Sequence, residues 1–340
     1  MEIEIAGAPA HTRTLVVSID TEGPQRVRSR GHILDLRKRG LIPMASDLQT
    51  AGVIHDMRVD ASIALDPPKI ATIRAEQPSV AIEASPATGG ECCRDPRDRI
   101  AALDGTPLDG EASRRLGGVL GGPLGCSHIL TLAQYLLSTT RTALDRDAEA
   151  HPGAQRPEGQ RLFHRSLSID GATGDDALHI ALQQADVHFT PVLVATGGDP
   201  LDRLASRSEI RAHAVVDLES MQLRSLRTAE RLGTAESLSG EWRDRSDEVS
   251  SLVGRSALGG MAQGLFDRLR TEADRPLLDA LLNLAPVVIQ CFPAIMERWS
   301  QDTDGERSNM MAAGGMADSC YMWRRDGVLL TNPGIPPRER

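Results

Sequence analysis

The chain has 340 residues, 40% apolar and 25% charged, which allows about two domains of ~150 residues and excludes collagen-like, disulfide-scaffold and grossly disordered classes. Acidic residues outnumber basic ones by 47 to 38, giving a net charge of -9 and arguing against a general nucleic-acid binder, since phosphate contact wants a positive face. Only Lys38 and Lys69 are lysines and aromatic residues make up 3%, so Schiff-base candidates and stacking platforms are both scarce.

The first ~75 residues read as strands. Thr14–Ile19 is β-branched and runs into the turn signal Asp20-Thr21-Glu22-Gly23-Pro24. His32–Leu36 and Val53–Leu65 alternate, the latter ending at Asp66-Pro67-Pro68, and Ile70–Ala75 follows with period two. Short turns between such strands predict an antiparallel meander with one buried face. Residues 86–125, rich in Gly, Pro and Arg, predict loop and short helix, with the Gly-rich stretch Leu116–Gly125 a flexible or closely packed loop. Ile129, Leu132, Ala133, Leu136 and Leu137, continuing to Ala143 and Leu144, predict a helix of about four to five turns. Asp145–Arg161 reads as a polar linker.

The scheme then starts again. Phe163-His164-Arg165-Ser166-Leu167 resembles His11-Thr12-Arg13-Thr14-Leu15, Ser168-Ile169-Asp170 resembles Ser18-Ile19-Asp20, and Val216-Asp217 resembles Val59-Asp60. Ala185-Asp186-Val187 matches Leu34-Asp35-Leu36, and the apolar window Leu277–Met296 matches the helix after Ser127. That window contains Asp279, Asn283, Pro286, Gln290 and Pro293, so it suits a buried helix better than a membrane span. The order of elements predicts a degenerate internal duplication at an offset of roughly 150 residues, and an α+β fold of two antiparallel-meander-plus-helix units, 1–150 and 151–340. The second unit lacks a Cys or His at the places of Cys126 and His128, which puts any site in the first unit, near the junction.

Five cysteines, an odd number at irregular spacing, argue against a secreted disulfide framework, and the N-terminus lacks the basic-then-apolar pattern of a signal peptide. A cytoplasmic protein is expected. Gly125-Cys126-Ser127-His128 is the sharpest motif. Gly125 permits a tight turn, Ser127 suits an N-cap, and Cys126 would sit at a helix N-terminus, where a thiol pKa falls. His128 could serve as base or metal ligand, against the plain alternative of a buried cysteine with a capping histidine. In His55-Asp56-Met57, strand alternation puts His55 and Met57 on one face and Asp56 on the other. His55 could be a general base near neutral pH, with Asp35 or Asp60 to orient it and Arg58 as a nearby donor. Asp318-Ser319-Cys320-Tyr321-Met322-Trp323 near the C-terminus reads as a last strand docking on the first unit, and Cys291 as core. Cys126, His128, Cys320 and His55 together would suit tetrahedral zinc, though their spacing matches no zinc signature. Phosphate-loop, dinucleotide and nucleophile-elbow motifs are absent.

Arg115-Leu116-Gly117-Gly118 through Gly125-Cys126-Ser127-His128-Ile129 resembles the domain of unknown function 2889 family, whose members carry Gly-Cys-Thr-His-Leu before a helix. His55-Asp56-Met57 and Asp318-Ser319-Cys320 are similar to further segments of that family. The resemblance covers about residues 10–145 and 318–327, and members are shorter than this chain. It implies a bacterial cytoplasmic protein, often associated with breakdown of aromatic compounds, and no mechanism. Three readings follow. The first is a cofactor-independent carbon–carbon lyase on aromatic, lignin-derived compounds, using His55 or His128 as base with Arg58 as donor. The second is a hydrolase or thioesterase with Cys126 as nucleophile. The third is a non-catalytic ligand-binding or zinc-stabilised protein. The expected partner is a small-molecule substrate, not nucleic acid or membrane, with homo-oligomerisation left open.

Overall fold

Long strands with a strict two-residue burial period build the protein, seen here in a computed structural model that describes residues 3, 5–44, 47–191, 199–238, 240–302 and 317–331. In β1 (Ala8–Thr21), His11, Arg13, Leu15, Val17 and Ile19 are buried while the residues between them are partly exposed. The same alternation runs through β2 (Arg26–Arg37) and β5 (Gly52–Leu65). A short hairpin, β3 (Ile42–Met44) and β4 (Asp47–Gln49), interrupts the meander before β5, and β6 (Pro68–Ser79) closes it. β7 (Arg161–Thr173), β8 (Ala177–Phe189), β9 (Leu204–Asp217) and β10 (Leu223–Gly233) form a second meander, with β11 (Arg243–Asp244) at its edge. The antiparallel α+β class is therefore as expected.

One nine-stranded antiparallel sheet holds both meanders, in the order β11-β10-β9-β8-β7-β1-β2-β5-β6. They join along β1 and β7, with Leu15 opposite Leu167. One face of the sheet is covered by helices. The other carries polar pairs such as Arg28–Asp60, Arg30–Asp20 and His32–Asp56.

The Gly-rich stretch is not a loop throughout. Residues from Asp109, whose side chain accepts the Glu111 N–H at 2.7 Å, open helix α1 (Gly110–Leu120). This cap and the apolar positions Ala112, Leu116 and Leu120 outweigh the cost of Gly117 and Gly118. Helix α2 (Ser127–Ala150) is longer than four to five turns and takes in the start of the expected linker. Its last turns are polar and solvated, supported by the Arg141–Asp145 pair, so apolar periodicity alone could not mark their end. Pro152 and Gly153 follow the stop. α2 packs across β2, β5, β1 and β7. Gly31 of β2 lies directly beneath it: a Cβ there would sit 3.1 Å from Cδ1 of both Leu132 and Leu136.

After β11 come α3 (Ser246–Val249), α4 (Met261–Arg268), α5 (Arg275–Leu281) and α6 (Leu284–Asp302). The expected buried helix is thus two helices. The stretch 272–295 is apolar and long enough to cross a membrane by composition, but most of it is buried inside the protein, as in a core helix. α6 lies against β7, β1 and β8. The segment Asp318–Trp323 is not a strand. Its second half is a 3₁₀ turn, Tyr321–Trp323, that docks on the start of α2 through the Tyr321 N–H and the Gly125 carbonyl, 2.8 Å apart. Its backbone pairs within the turn, the Asp318 N–H donating to the Trp323 carbonyl at 2.8 Å.

Candidate acid–base site

Five polar side chains occupy apolar register positions on the helix-covered face. His11 and Arg13 continue the row of Leu15, Val17 and Ile19, Asp35 and Arg37 continue that of Ile33, and His55 continues that of Met57 and Val59. Strand pairing sets Arg13 opposite Asp35, and Asp35 opposite His55, so the three form a row across three adjacent strands. His128, in the first turn of α2, closes over the row, and Gln290 reaches it from α6.

Asp35 is the hub. Arg13 grips it with two parallel bonds, Nε to Oδ1 at 2.7 Å and Nη2 to Oδ2 at 2.9 Å. His55 Nδ1 lies 3.1 Å from Oδ2, His128 Nε2 3.4 Å from the same oxygen, and His11 Nε2 3.3 Å from Oδ1. The His55 and His128 rings stack, with centroids 3.7 Å apart at an interplanar angle of 29°. The Gln290 amide nitrogen is 3.2 Å from His128 Nε2.

The electrostatics follow from burial. Desolvation pushes the Asp35 carboxyl upward, but Arg13 and hydrogen bonds from His11, His55 and Arg13 outweigh it and hold the group well below the ordinary carboxylate range. Asp35 is therefore ionised and can only accept hydrogen bonds, so His55 donates to it through Nδ1, which leaves Nε2 as the ring nitrogen not engaged by Asp35. Burial, reinforced by His55, lowers His128 well below the ordinary histidine value despite Asp35. Burial likewise lowers His11. One Arg13 nitrogen, Nη1, is buried with no hydrogen-bond partner.

A cavity of about 190 Å³ opens onto this row. Its polar lining includes Arg13, Arg37, His55, His128 and Gln290, and its apolar lining Ile42, Ile82, Ile289 and Trp323. Cys93, Cys126 and Cys320 also line it. The sequence reading of Cys126 needs correction in two respects. Cys126 itself is the N-cap of α2, without a side-chain cap bond, and the helix begins at Ser127. Burial pushes its thiol up to about 11, although the N–H groups of Ile129 and His128 face the sulfur and pull the other way. Helix-end polarity cannot offset loss of water around a buried thiolate. Gly125 is also needed for a different reason: its backbone is extended, and a Cβ would lie 2.6 Å from the Leu120 Cα.

The structure brings together His55, His128 and Cys126, but not Arg58. Arg58 points to the outer face, 55% exposed, with Asp56 3.8 Å away. Successive strand residues face opposite sides, so the neighbour of Met57 could not share its pocket. The guanidinium at the site belongs to Arg13. Asp60 is also on the outer face, paired with Arg28. Arg13, His11, Arg37 and Gln290 were not singled out as site residues from the sequence. The available signal was the run His11, Arg13, Leu15, Val17, Ile19, where charge falls on the register of the core.

The second meander has a related but closed arrangement. Arg165 lies opposite Asp186, which lies opposite Ser208 where the first meander has His55. Arg165 binds Asp186 at 2.7 and 2.8 Å, and Asp279 of α5 at 2.8 Å, while Ser138 donates to Asp279 at 2.7 Å. Burial raises the Asp279 carboxyl to about 6, against the pull of Arg165. Elsewhere, Asp147 Oδ1 accepts from His151 and His188, each at 3.0 Å, and from Arg156 at 2.5 Å, tying the end of α2 to β8.

Metal-binding geometry can be tested on the donors. Among the described residues, the groups whose ligand atoms lie within 4.8 Å of one another are Asp35–His55–His128 and Asp147–His151–His188. The first contains neither Cys126 nor Cys320, so the four-residue zinc set is not assembled. Two imidazoles on one tetrahedral zinc, with bonds of about 2.0–2.1 Å, would place ring centres roughly 5 Å apart. The stacked rings would have to separate, and Arg13 already holds both carboxylate oxygens.

The arrangement defines an α+β protein with a buried carboxylate–histidine pair opening into a mostly apolar cavity. Residues 11–142 match the protein-family model described as Protein of unknown function (DUF2889), which shows the resemblance carried by the His-Asp-Met and Gly-Cys-Ser-His motifs over that segment. No curated protein and no solved structure matches the chain.

Proposed function

We propose that the protein is a cofactor-independent acid–base enzyme, a carbon–carbon lyase acting on a small aromatic compound with a hydroxymethyl side chain. The single observation that carries this reading is the Asp35–His55 bond at 3.1 Å at the wall of the cavity, with His128 stacked on His55. His55 Nε2 removes the proton of the substrate hydroxyl. The oxygen's electron pair forms the carbonyl of the departing aldehyde. The carbon–carbon pair stays on the benzylic carbon that bore the hydroxymethyl group, and that carbon then takes the proton back from the imidazolium. Asp35 stabilises that imidazolium between the two transfers, as a buried carboxylate does for a catalytic histidine. Arg13, which also lines the cavity and keeps Nη1 without a hydrogen-bond partner, supplies the positive charge that offsets the developing negative charge in a dry site. Gln290 fixes the His128 ring.

A Cys126 nucleophile has weaker support, because a thiol at about 11 is protonated at neutral pH. A bacterial, cytoplasmic setting and descent of the two meanders from one duplicated unit belong to the same proposal. The latter is supported by Arg13–Asp35 and Arg165–Asp186 on either side of the Leu15–Leu167 pair. The test is formaldehyde release, by exhaustively chelated protein, from aryl compounds that carry the hydroxymethyl group on a benzylic carbon. Expected is turnover without metal, reduced about 10²–10⁴-fold in His55→Gln with the melting temperature little changed. Equal turnover in wild type and variant, or activity restored only by added zinc, would overturn it.

A further inference from the structure

Arg37 is the second guanidinium on the cavity wall, and among the described residues it has no counter-charge. Only 3% of its surface is exposed. Nη1 donates to the Gln49 carbonyl at 3.3 Å, and Nε is buried without a hydrogen-bond partner. Among the described residues no carboxylate pairs with it. Asp35, two residues back on the same strand face, is taken by Arg13 and approached by three imidazoles. Burial lowers the Arg37 pKa, and among the described residues no charge raises it. Its Cα partner across the sheet, His11, is neutral-leaning and offers no negative charge.

A buried, unpaired charge is costly, and removal of a partner from a buried pair is strongly destabilising. A fold holding such a group against a cavity has a reason to do so. The apolar neighbours, Ile42, Ala81, Ile82 and Trp323, would strengthen any ion pair made there by keeping water out. Arginine's planar fork suits a carboxylate in particular.

We propose that Arg37 is the recognition residue for a carboxylate on the substrate, which makes the ligand class a small aryl monocarboxylate. Two residues on one strand face are roughly 7 Å apart, so the carboxylate would sit about one ring's length from the Asp35–His55 pair. The assignment rests on the acid–base reading of the same cavity, but its test does not need turnover.

Benzoate and its neutral isostere benzamide are titrated calorimetrically into the full chain. Expected is benzoate binding at least about tenfold tighter than benzamide in the wild type. In Arg37→Met and Arg37→Gln the benzoate advantage disappears, benzamide binding is retained, and the melting temperature does not fall because an unpaired buried charge has gone. His55→Gln keeps the benzoate preference, so loss of the acid–base mechanism and loss of the anion site give different results. 4-Nitrophenol, whose absorbance reports ionisation, separates carboxylate from phenolate recognition. Equal wild-type affinities for benzoate and benzamide overturn the proposal without reference to any variant. So does an Arg37→Met protein that still prefers benzoate, or a preference for 4-nitrophenolate over benzoate.

Discussion

Asp35 shows how one carboxylate can organise four cations or cation-forming groups. Arg13 bonds both of its oxygens, so the carboxylate does not depend on the imidazoles for a counter-ion. His11 and His128 are both held below the ordinary histidine value of 6.5 by burial. In the unfolded chain they take up protons as pH falls through that value, while in the folded protein they resist. The unfolded state then binds more protons, and stability declines as pH drops below about 6.5. The shift of Asp35 acts lower: its pKa is depressed on folding, so its contribution is present above 3.8 and fades as pH falls below that value. Asp279, raised to about 6, takes up its proton on the folded side and opposes this trend, so the histidine contribution is read as the difference between wild type and His11→Asn. On acidification through about pH 6.5, the ordinary histidine pKa, the urea midpoint of the wild type should lose ground to that of the variant. An unchanged slope in the variant would contradict the histidine assignment.

At the scale of elements, α2 is the part that converts the fold into a site. Much of it was legible: the Leu132/Leu136 spacing gives a helix, and the Gly125–His128 motif gives its start. His55 and Met57 were placed on one face by alternation alone. What could not be read was the partner across the sheet, since the Arg13–Asp35 register depends on which strands become neighbours. The length of α2 was hidden by its polar end. The pKa of Cys126 was misread because sequence shows the helix terminus but not how completely the terminus is covered. Gly125 connects these levels, because its close approach to Leu120 sets where α2 begins. Gly125→Ala should force that backbone contact apart, costing about 1–3 kcal/mol. The expected result is a lower melting temperature together with a larger fractional loss of turnover than of stability, since His128 moves with the helix start. A variant with wild-type melting and activity would show that the Leu120 contact relaxes freely.

Across the whole molecule, the decisive feature is that the two meanders share one sheet. β1 and β7 pair along nearly their full length, with Leu15 and Leu167 at the middle. The helices cross this seam as well. Ser138 of α2 bonds Asp279 and Thr139 contacts Arg165 of the second half, while Gln290 of α6 reaches His128 of the first. A fragment of residues 1–150 would therefore lose the hydrogen-bond partners along one edge of β1 and the α6 cover of that strand. An edge that long, flat and apolar templates pairing with another chain. The same fragment would keep Tyr135, Ser138 and Thr139 of α2 with no Arg165 cluster to satisfy them. Residues 1–150 alone should thus self-associate or aggregate, whereas co-expression with 151–340 should recover a single complex. Size-exclusion chromatography and circular dichroism on the two preparations distinguish these outcomes. A monomeric 1–150 fragment with a cooperative melt would show that the first half closes its core unaided, and the seam would then be a docking surface between domains instead of the centre of one core.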